Sequence, residues 1–284
     1  MQESKRHHYV PQFYLRQWNA DCGQVLVVRK IGNGVVRKRH AAKYTGFDTF
    51  LYSYHEDFDA KDRSEMETKF FKPLDDAGAR IMSDMIARRQ LEKKDRILWA
   101  QFIALMIART PNSVARIRSS GREFLVCEME SIQSEYSALK SSSAPDTPID
   151  WLEVNNPGLL DSFGLMQMPK IALKPMQAVI SFNWYTVDFE NSSKVLLSSD
   201  RPCVMTEGLD HANCVIALPL SPRHAFFAFR SNSNARQGLM NAPLSRLALR
   251  LNESVVGQAA QQAYCQNSFD APDSFFRRCL SAYQ

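Results

Sequence analysis

His7-His8-Tyr9-Val10-Pro11-Gln12-Phe13-Tyr14-Leu15-Arg16 packs two imidazoles, a carboxamide, a guanidinium and three aromatic rings into ten residues near the start of the chain. Chain ends are usually polar and poorly ordered unless something ties them down. A segment this apolar is expected to lie buried against the body of the protein. Its polar groups then need partners, since each buried group left unpaired costs about 1–3 kcal/mol. The expectation is a polar network inside the fold, which is how many active sites are made.

Downstream of this segment, Gln24 to Ile31 and Val35 to Lys38 read as two strands joined by Gly32-Asn33-Gly34, a strong short-range hairpin signal. The run Val25-Leu26-Val27-Val28 does not alternate, which suits a strand covered on both faces. Lys43 to Tyr54 is aromatic-rich and reads as a loop or short strand. From Ser64 the period turns helical, with Ser64 and Glu67 spaced as a capping box and an apolar face from Phe70 to Ile86. Pro73 interrupts that helix, since an interior proline costs about 3 kcal/mol. A second helix is expected from Glu92 to Arg109, ended by Pro111, and a third from Val114 to Leu139. Short helices follow around 149–178. Beta character returns in Trp184–Phe189, Lys194–Ser198, Cys214–Leu218 and His224–Arg230, and Pro243 to Tyr264 reads as a late helix. Strands segregated from helices argue for an α+β fold. The expected architecture is segregated antiparallel strands with a central helical bundle and a C-terminal helix.

The 284 residues, 45% hydrophobic and 23% charged, are enough for a sizeable core. They suit a single domain spanning 1–284, or two lobes meeting at the Ser/Pro-rich loop 141–148. No run approaches the roughly 18 apolar residues of a membrane span, so no membrane partner is expected. The first eight residues lack the apolar core of a secretory signal, so the expected location is the cytoplasm. Cysteines at 22, 127, 203, 214, 265 and 279 form no CxxC pair and no zinc spacing, and read as reduced thiols. The net charge of +5 is compatible with a nucleic-acid partner without demonstrating one. Arg37-Lys38-Arg39-His40 and Arg88-Arg89 are the notable basic clusters, each read as a solvated face or a phosphate-binding patch. Phosphate-cradling loops, the dinucleotide fingerprint, the serine elbow and HExxH are absent from the sequence, which argues against the chemistry each supports.

The opening segment resembles the signature of a widespread, largely bacterial family of uncharacterised function, domain of unknown function 4238. That signature, His-His-Tyr-Val-Pro-Gln-Phe-x-Leu-Arg, is met residue for residue at His7 to Arg16. It usually continues Asn-Phe, where this chain has Gln17-Trp18. Weaker matches are Glu67, Arg109-Thr110-Pro111, Ser199-Asp200-Arg201-Pro202, Pro219-Leu220-Ser221-Pro222 and Asn252. The resemblance spans about the whole chain and implies one architecture, but no established activity.

The candidate catalytic residues are His7, His8, Gln12, Glu67 and Asp200, with Arg16, Arg109 and Asn252 as candidate substrate-binding residues. Adjacent strand residues point to opposite faces, so one of His7 and His8 is expected to face the site while the other packs. Arg16 either grips an anion in two-pronged fashion or forms a buried salt bridge to Glu67 or Asp200. Glu67 either acts in the site or caps a helix. Asp200 either orients a histidine or starts a turn, and Arg109 either caps its helix or joins the network as a second cation. A divalent metal ion is the candidate cofactor, with His8 and Asp200 as candidate ligands. This residue set suits phosphodiester chemistry, with histidine as acid or base and arginine on the phosphate. The function expected is a nuclease-like hydrolase, an effector of bacterial defence or conflict. The alternative is a non-catalytic module that binds a nucleotide or nucleic acid. A metal gripped by histidine and carboxylate would favour the enzyme. A socket of arginines and aromatics with no proton-moving group would favour the binder.

Overall fold

The computed structural model describes residues 5–231 and 234–280; residues 1–4, part of the stretch read for a leader, lie outside them. The fold is α+β. Its strands are β1 (Arg6–His8), β2 (Val25–Ile31), β3 (Gly34–His40), β4 (Phe47–Thr49), β5 (Asn183–Asp188), β6 (Ser198–Ser199), β7 (Val204–Met205), β8 (Val215–Ser221), β9 (His224–Phe229) and β10 (Ala263–Cys265). They form a pair β1-β4 and two four-stranded sheets, ordered β3-β2-β10-β6 and β5-β9-β8-β7. The ladders of both larger sheets are antiparallel.

The chain divides into two compact units. The first comprises Met1–His7, Asp48–Pro73 and Pro111–Ala172, and the second His8–Phe47, Leu74–Thr110 and Leu173–Gln284. The Ser/Pro-rich loop 141–148 lies inside the first unit. Within that unit helices Pro111–Ser131, Pro148–Asn155 and Leu159–Met166 bury Leu125, Leu152 and Leu160 together. Arg118 ties the unit's loops to the first of these helices, donating to the carbonyls of Leu51, Ser53 and Asp161.

Both larger sheets belong to the second unit, and helix Leu244–Gly257 serves the cores of both. Val256 joins the cluster of the first sheet, with Leu26, Val28, Ala263 and Phe276. Ala248, Leu251 and Val255 join that of the second, with Ala217, Ala225, Phe227 and Phe229. The leucines of 195–197 are shared out in the same way: Leu197 enters the first cluster and Leu196 the second.

Several expectations change in physical detail. The hairpin β2-β3 forms with Ile31 opposite Gly34, so its turn centres on Gly32-Asn33. Of the two, Gly32 alone takes positive φ, as in a type II′ turn. Val25 to Val28 are all buried, in keeping with a strand covered on both faces. Lys30, Arg37 and Arg39 of this hairpin hold the C-terminal segment, while Arg29 and Lys38 are exposed. Arg37 bonds Asp273 and the carbonyls of Ser268 and Ala271, Lys30 bonds the carbonyl of Arg277, and Arg39 that of Gln266. Pro73 is absorbed by a π-helical stretch, Met66–Phe71, wound directly before helix Lys72–Ile86. Wide turns of this kind are one of the few ways a helix accommodates a missing N–H. Pro111 opens a helix, where its missing donor costs nothing. Of Lys194–Ser198, Ser198 alone lies in a strand, and the late helix stops at Gly257, short of β10.

The opening segment is buried as its composition requires: Tyr9, Val10, Tyr14, Leu15 and Trp18 all lie in the core. The Val10 N–H donates to the Gly46 carbonyl, and Gly46 sits at φ +66° with little room for a Cβ, since one would meet Val10 and Leu15 at 3.0 and 3.1 Å. Gly46→Ala combines left-handed strain with overpacking against the motif. It should destabilise the protein by about 2–4 kcal/mol in urea unfolding. A variant as stable as the parent would mean that the motif does not pack against this turn.

Candidate functional site

The two histidines of the motif lie on β1, and strand alternation separates them. His7, in the first unit, is fully buried. Its Nδ1 accepts the Tyr52 backbone N–H at 2.9 Å, and its ring stacks on Tyr52 at 5.5 Å and 11°. Accepting there requires the proton on Nε2, so the network assigns the neutral Nε2–H tautomer. Tyr52 in turn lies 4.3 Å from the Phe71 ring, on the π-helical stretch that carries half-buried Glu67. His8, in the second unit, is half-buried with its ring against Phe47 at 5.5 Å.

Of the other candidates in the second unit, Gln12 and Arg16 share the short helical turn after Pro11. Arg16 is exposed, and its guanidinium meets the Gln12 amide at 3.4 Å. A salt bridge buried with Asp200 is therefore not what it forms.

Asp200 and Asn252 converge, but on the main chain. The Asp200 carboxylate is buried and accepts three backbone N–H groups, from Ala260 at 2.8 Å, Gln261 at 2.8 Å and Gln262 at 3.0 Å. It thus anchors the turn between helix Leu244–Gly257 and β10. Burial pushes its carboxyl above the usual aspartate value, against the pull of those three donors. Asn252 accepts the Leu197 N–H and donates to the Val195 carbonyl, both at 2.8 Å. Trp18 donates to the carbonyl of Leu196 at 3.0 Å, and the Leu196 N–H reaches the Pro222 carbonyl at 2.8 Å. Tyr14 shares a hydrogen bond with Ser198 at 2.9 Å. The motif, the Ser-Asp-Arg-Pro segment, the Pro-Leu-Ser-Pro segment and Asn252 therefore meet around 195–200.

Arg109 is fully buried at the end of helix Lys93–Ala108 and pairs with Asp75 at 2.8 Å, over the Phe102 ring. Burial pushes the Asp75 carboxyl up and Arg109 opposes that shift. Asp75 was not legible as its partner, because one carboxylate on a helical face looks like any other. Among the described residues no three His, Cys, Asp or Glu side chains gather as a metal site. Cys203 and Cys265 are buried thiols pushed up to about 12, far from reactive thiolate character.

A different place in the second unit has the chemistry of a binding site. An open cleft of about 510 Å³ lies between the end of helix Lys72–Ile86, the start of helix Lys93–Ala108, and β5. Arg88, Arg89 and Arg96 line it with Trp184, Tyr185 and Phe226, and no His, Asp, Glu or Cys is among its walls. The Arg96 guanidinium lies 4.0 Å over the Trp184 ring, half-buried. Burial lowers its pKa, and no neighbouring charge among the described residues offsets that cost. Of these residues only the Arg88-Arg89 pair stood out in the sequence. Trp184 and Arg96 are 88 positions apart, and only the packing of β5 beside a helix start brings them together.

The chain belongs to the family described as protein of unknown function (DUF4238), whose model matches residues 6–269. No curated protein and no solved structure matches the chain.

The Arg109–Asp75 pair makes a direct test of what these polar groups contribute. Asp75→Asn removes a carboxylate that sits 2.8 Å from a fully buried guanidinium and should cost about 3–5 kcal/mol in denaturant unfolding. Arg109→Met combined with Asp75→Leu should recover most of that loss, because an apolar pair of similar volume needs no desolvated charge. An Asp75→Asn variant of parental stability would show that the pair is not held in a low-dielectric site.

Proposed function

We propose that the protein is a non-catalytic module that binds a nucleotide or nucleic acid in the arginine-lined cleft beside β5. The observation that carries this reading is Arg96, a half-buried guanidinium stacked on Trp184 with no carboxylate among the described residues to neutralise it. Guanidinium faces stack on bases and their N–H forks grip phosphates, so this pair offers both halves of a nucleotide a partner. Arg88 and Arg89 line the same wall, each in an exposed ion pair at 3.0 Å, with Asp188 and Asp84. The cleft lines up no group able to take or give a proton near neutral pH, which favours holding a ligand over cleaving it.

The residues that suggested phosphodiester hydrolysis are largely occupied elsewhere. Asp200 accepts three backbone donors, Asn252 clasps the main chain, Arg109 neutralises Asp75, and His7 accepts the Tyr52 N–H. Replacing Asp200 removes a structural anchor in any case, so loss of activity on its own would not identify a catalytic carboxylate.

The test combines binding and cleavage. Purified protein is mixed with labelled RNA, single-stranded DNA, duplex DNA and adenine nucleotides, each with Mg²⁺, Mn²⁺ or EDTA. Binding is followed by anisotropy and tryptophan fluorescence, and integrity by gel. We expect affinity that falls with salt, since phosphate contacts release counterions, and no cleavage in any mixture. Arg96→Met keeps the packing over Trp184 but removes the charge. It should weaken binding by about 10–100-fold, the worth of a charged hydrogen bond, with an unchanged melting temperature. Metal-dependent cleavage, or full affinity in Arg96→Met, would displace this reading in favour of the hydrolase.

A further inference from the structure

Arg88 has a backbone that its side chain does not favour. It sits at φ +56°, one of two non-glycine residues with positive φ among those described. It occupies the position just past the end of helix Lys72–Ile86, where the Arg89 N–H reaches back to the Asp84 carbonyl at 2.8 Å and its own N–H to that of Met85 at 3.1 Å. This is the Schellman closure, whose left-handed residue is usually glycine. Helix termination needs no side chain here, and glycine would close the turn with less strain. Strain of this kind persists where a side chain is wanted in one place for another reason.

That place is the mouth of the cleft. The Arg88 guanidinium reaches Asp188 at the end of β5, 3.0 Å away, on the strand that also carries Trp184. The pair is an exchangeable one: Arg88 is 71% exposed, and ion pairs in water are weak. Asp188 would not be stranded by losing it. Its other oxygen accepts the Glu190 N–H at 2.8 Å, and His224 stands opposite it in the β5-β9 ladder. The cleft's volume of about 510 Å³ falls within the roughly 300–1,000 Å³ of small-molecule sites, room for one nucleotide.

We infer that the ligand of this cleft is a mononucleotide ending in a phosphate, and that Arg88 exchanges Asp188 for that phosphate when it binds. The Arg96–Trp184 stack serves as the platform for the base. Arg88 is held by its strained turn so that it can reach either partner. This rests on the binding reading above and narrows it to one ligand class.

The experiment is isothermal titration of the full chain with AMP, with adenosine and with a single-stranded 12-mer, for the parent and two variants. AMP should bind the parent about tenfold or more tighter than adenosine, the difference a charged hydrogen bond makes. Arg88→Gly should melt at or above the parental temperature while its AMP affinity falls to that of adenosine. Asp188→Asn, which frees Arg88 in advance, should bind AMP more tightly than the parent. A purely structural Arg88 gives the opposite pattern, with a lower melting temperature in Arg88→Gly and AMP affinity untouched by either variant; that result overturns the inference. Binding of the 12-mer without AMP also overturns it and leaves the module reading standing. Failure of the parent to bind any of the three removes both.

Discussion

The second unit depends on satisfying the backbone of one run, Val195-Leu196-Leu197, whose leucines are fully buried and whose valine is half-buried. Successive residues of an extended chain point to opposite sides, and here Leu196 and Leu197 enter the cores of two different sheets. A run between two cores cannot have its N–H and C=O groups in water, and buried backbone groups left without partners are rare because each is costly. No strand pairs along it. Its partners are the Asn252 side chain at both ends, the Trp18 indole, and the Pro222 carbonyl. A carboxamide suits this role since it donates and accepts at once, as a neighbouring strand residue would. One helix then carries both the apolar residues that seal the two cores and the amide that neutralises the run between them.

This arrangement brings segments far apart in sequence onto one short run of main chain. The opening motif supplies Tyr14, Trp18 follows just after it, the Pro-Leu-Ser-Pro segment supplies the Pro222 carbonyl, and the late helix supplies Asn252. Asp200, three residues beyond the run, fastens the turn into β10. These groups are polar because the main chain they serve is buried. A sequence reader meets the same residues, buried and polar, in active sites, and the two uses look alike until the partners are seen. The cleft beside β5 has the reverse character. Its residues are ordinary surface arginines and a tryptophan in the sequence, and their arrangement sets them apart.

Legibility followed the range of the forces involved. The β2-β3 hairpin and the helix over 93–108 could be read because period, turn residues and proline act over a few positions, whereas the helix expected from Val114 to Leu139 breaks at Ile132 into two. The three-residue β10 could not, because Ala263-Tyr264-Cys265 carries no period of its own and is a strand only between β2 and β6. Residues 194–198 looked like a strand because Val195 to Leu197 are apolar, yet the Asn252 and Trp18 side chains take three of the hydrogen bonds a ladder would, and the Leu196 N–H goes to the Pro222 carbonyl. The partners of Arg109 and Arg37 were hidden for a related reason, since Asp75 and Asp273 lie 34 and 236 positions away. Burial of the motif was legible from composition alone, but its role as a clasp was not.

The most direct test of this account is a double-mutant cycle between Trp18→Phe and Asn252→Ala, read by urea unfolding. The two side chains hold the same three residues from different elements. Losing one should loosen the run and devalue the other, so the combined loss should fall short of the sum by about 0.5–3 kcal/mol. Strict additivity would mean that Trp18 and Asn252 stabilise the protein independently, and would contradict the claim that the unit is organised around that run.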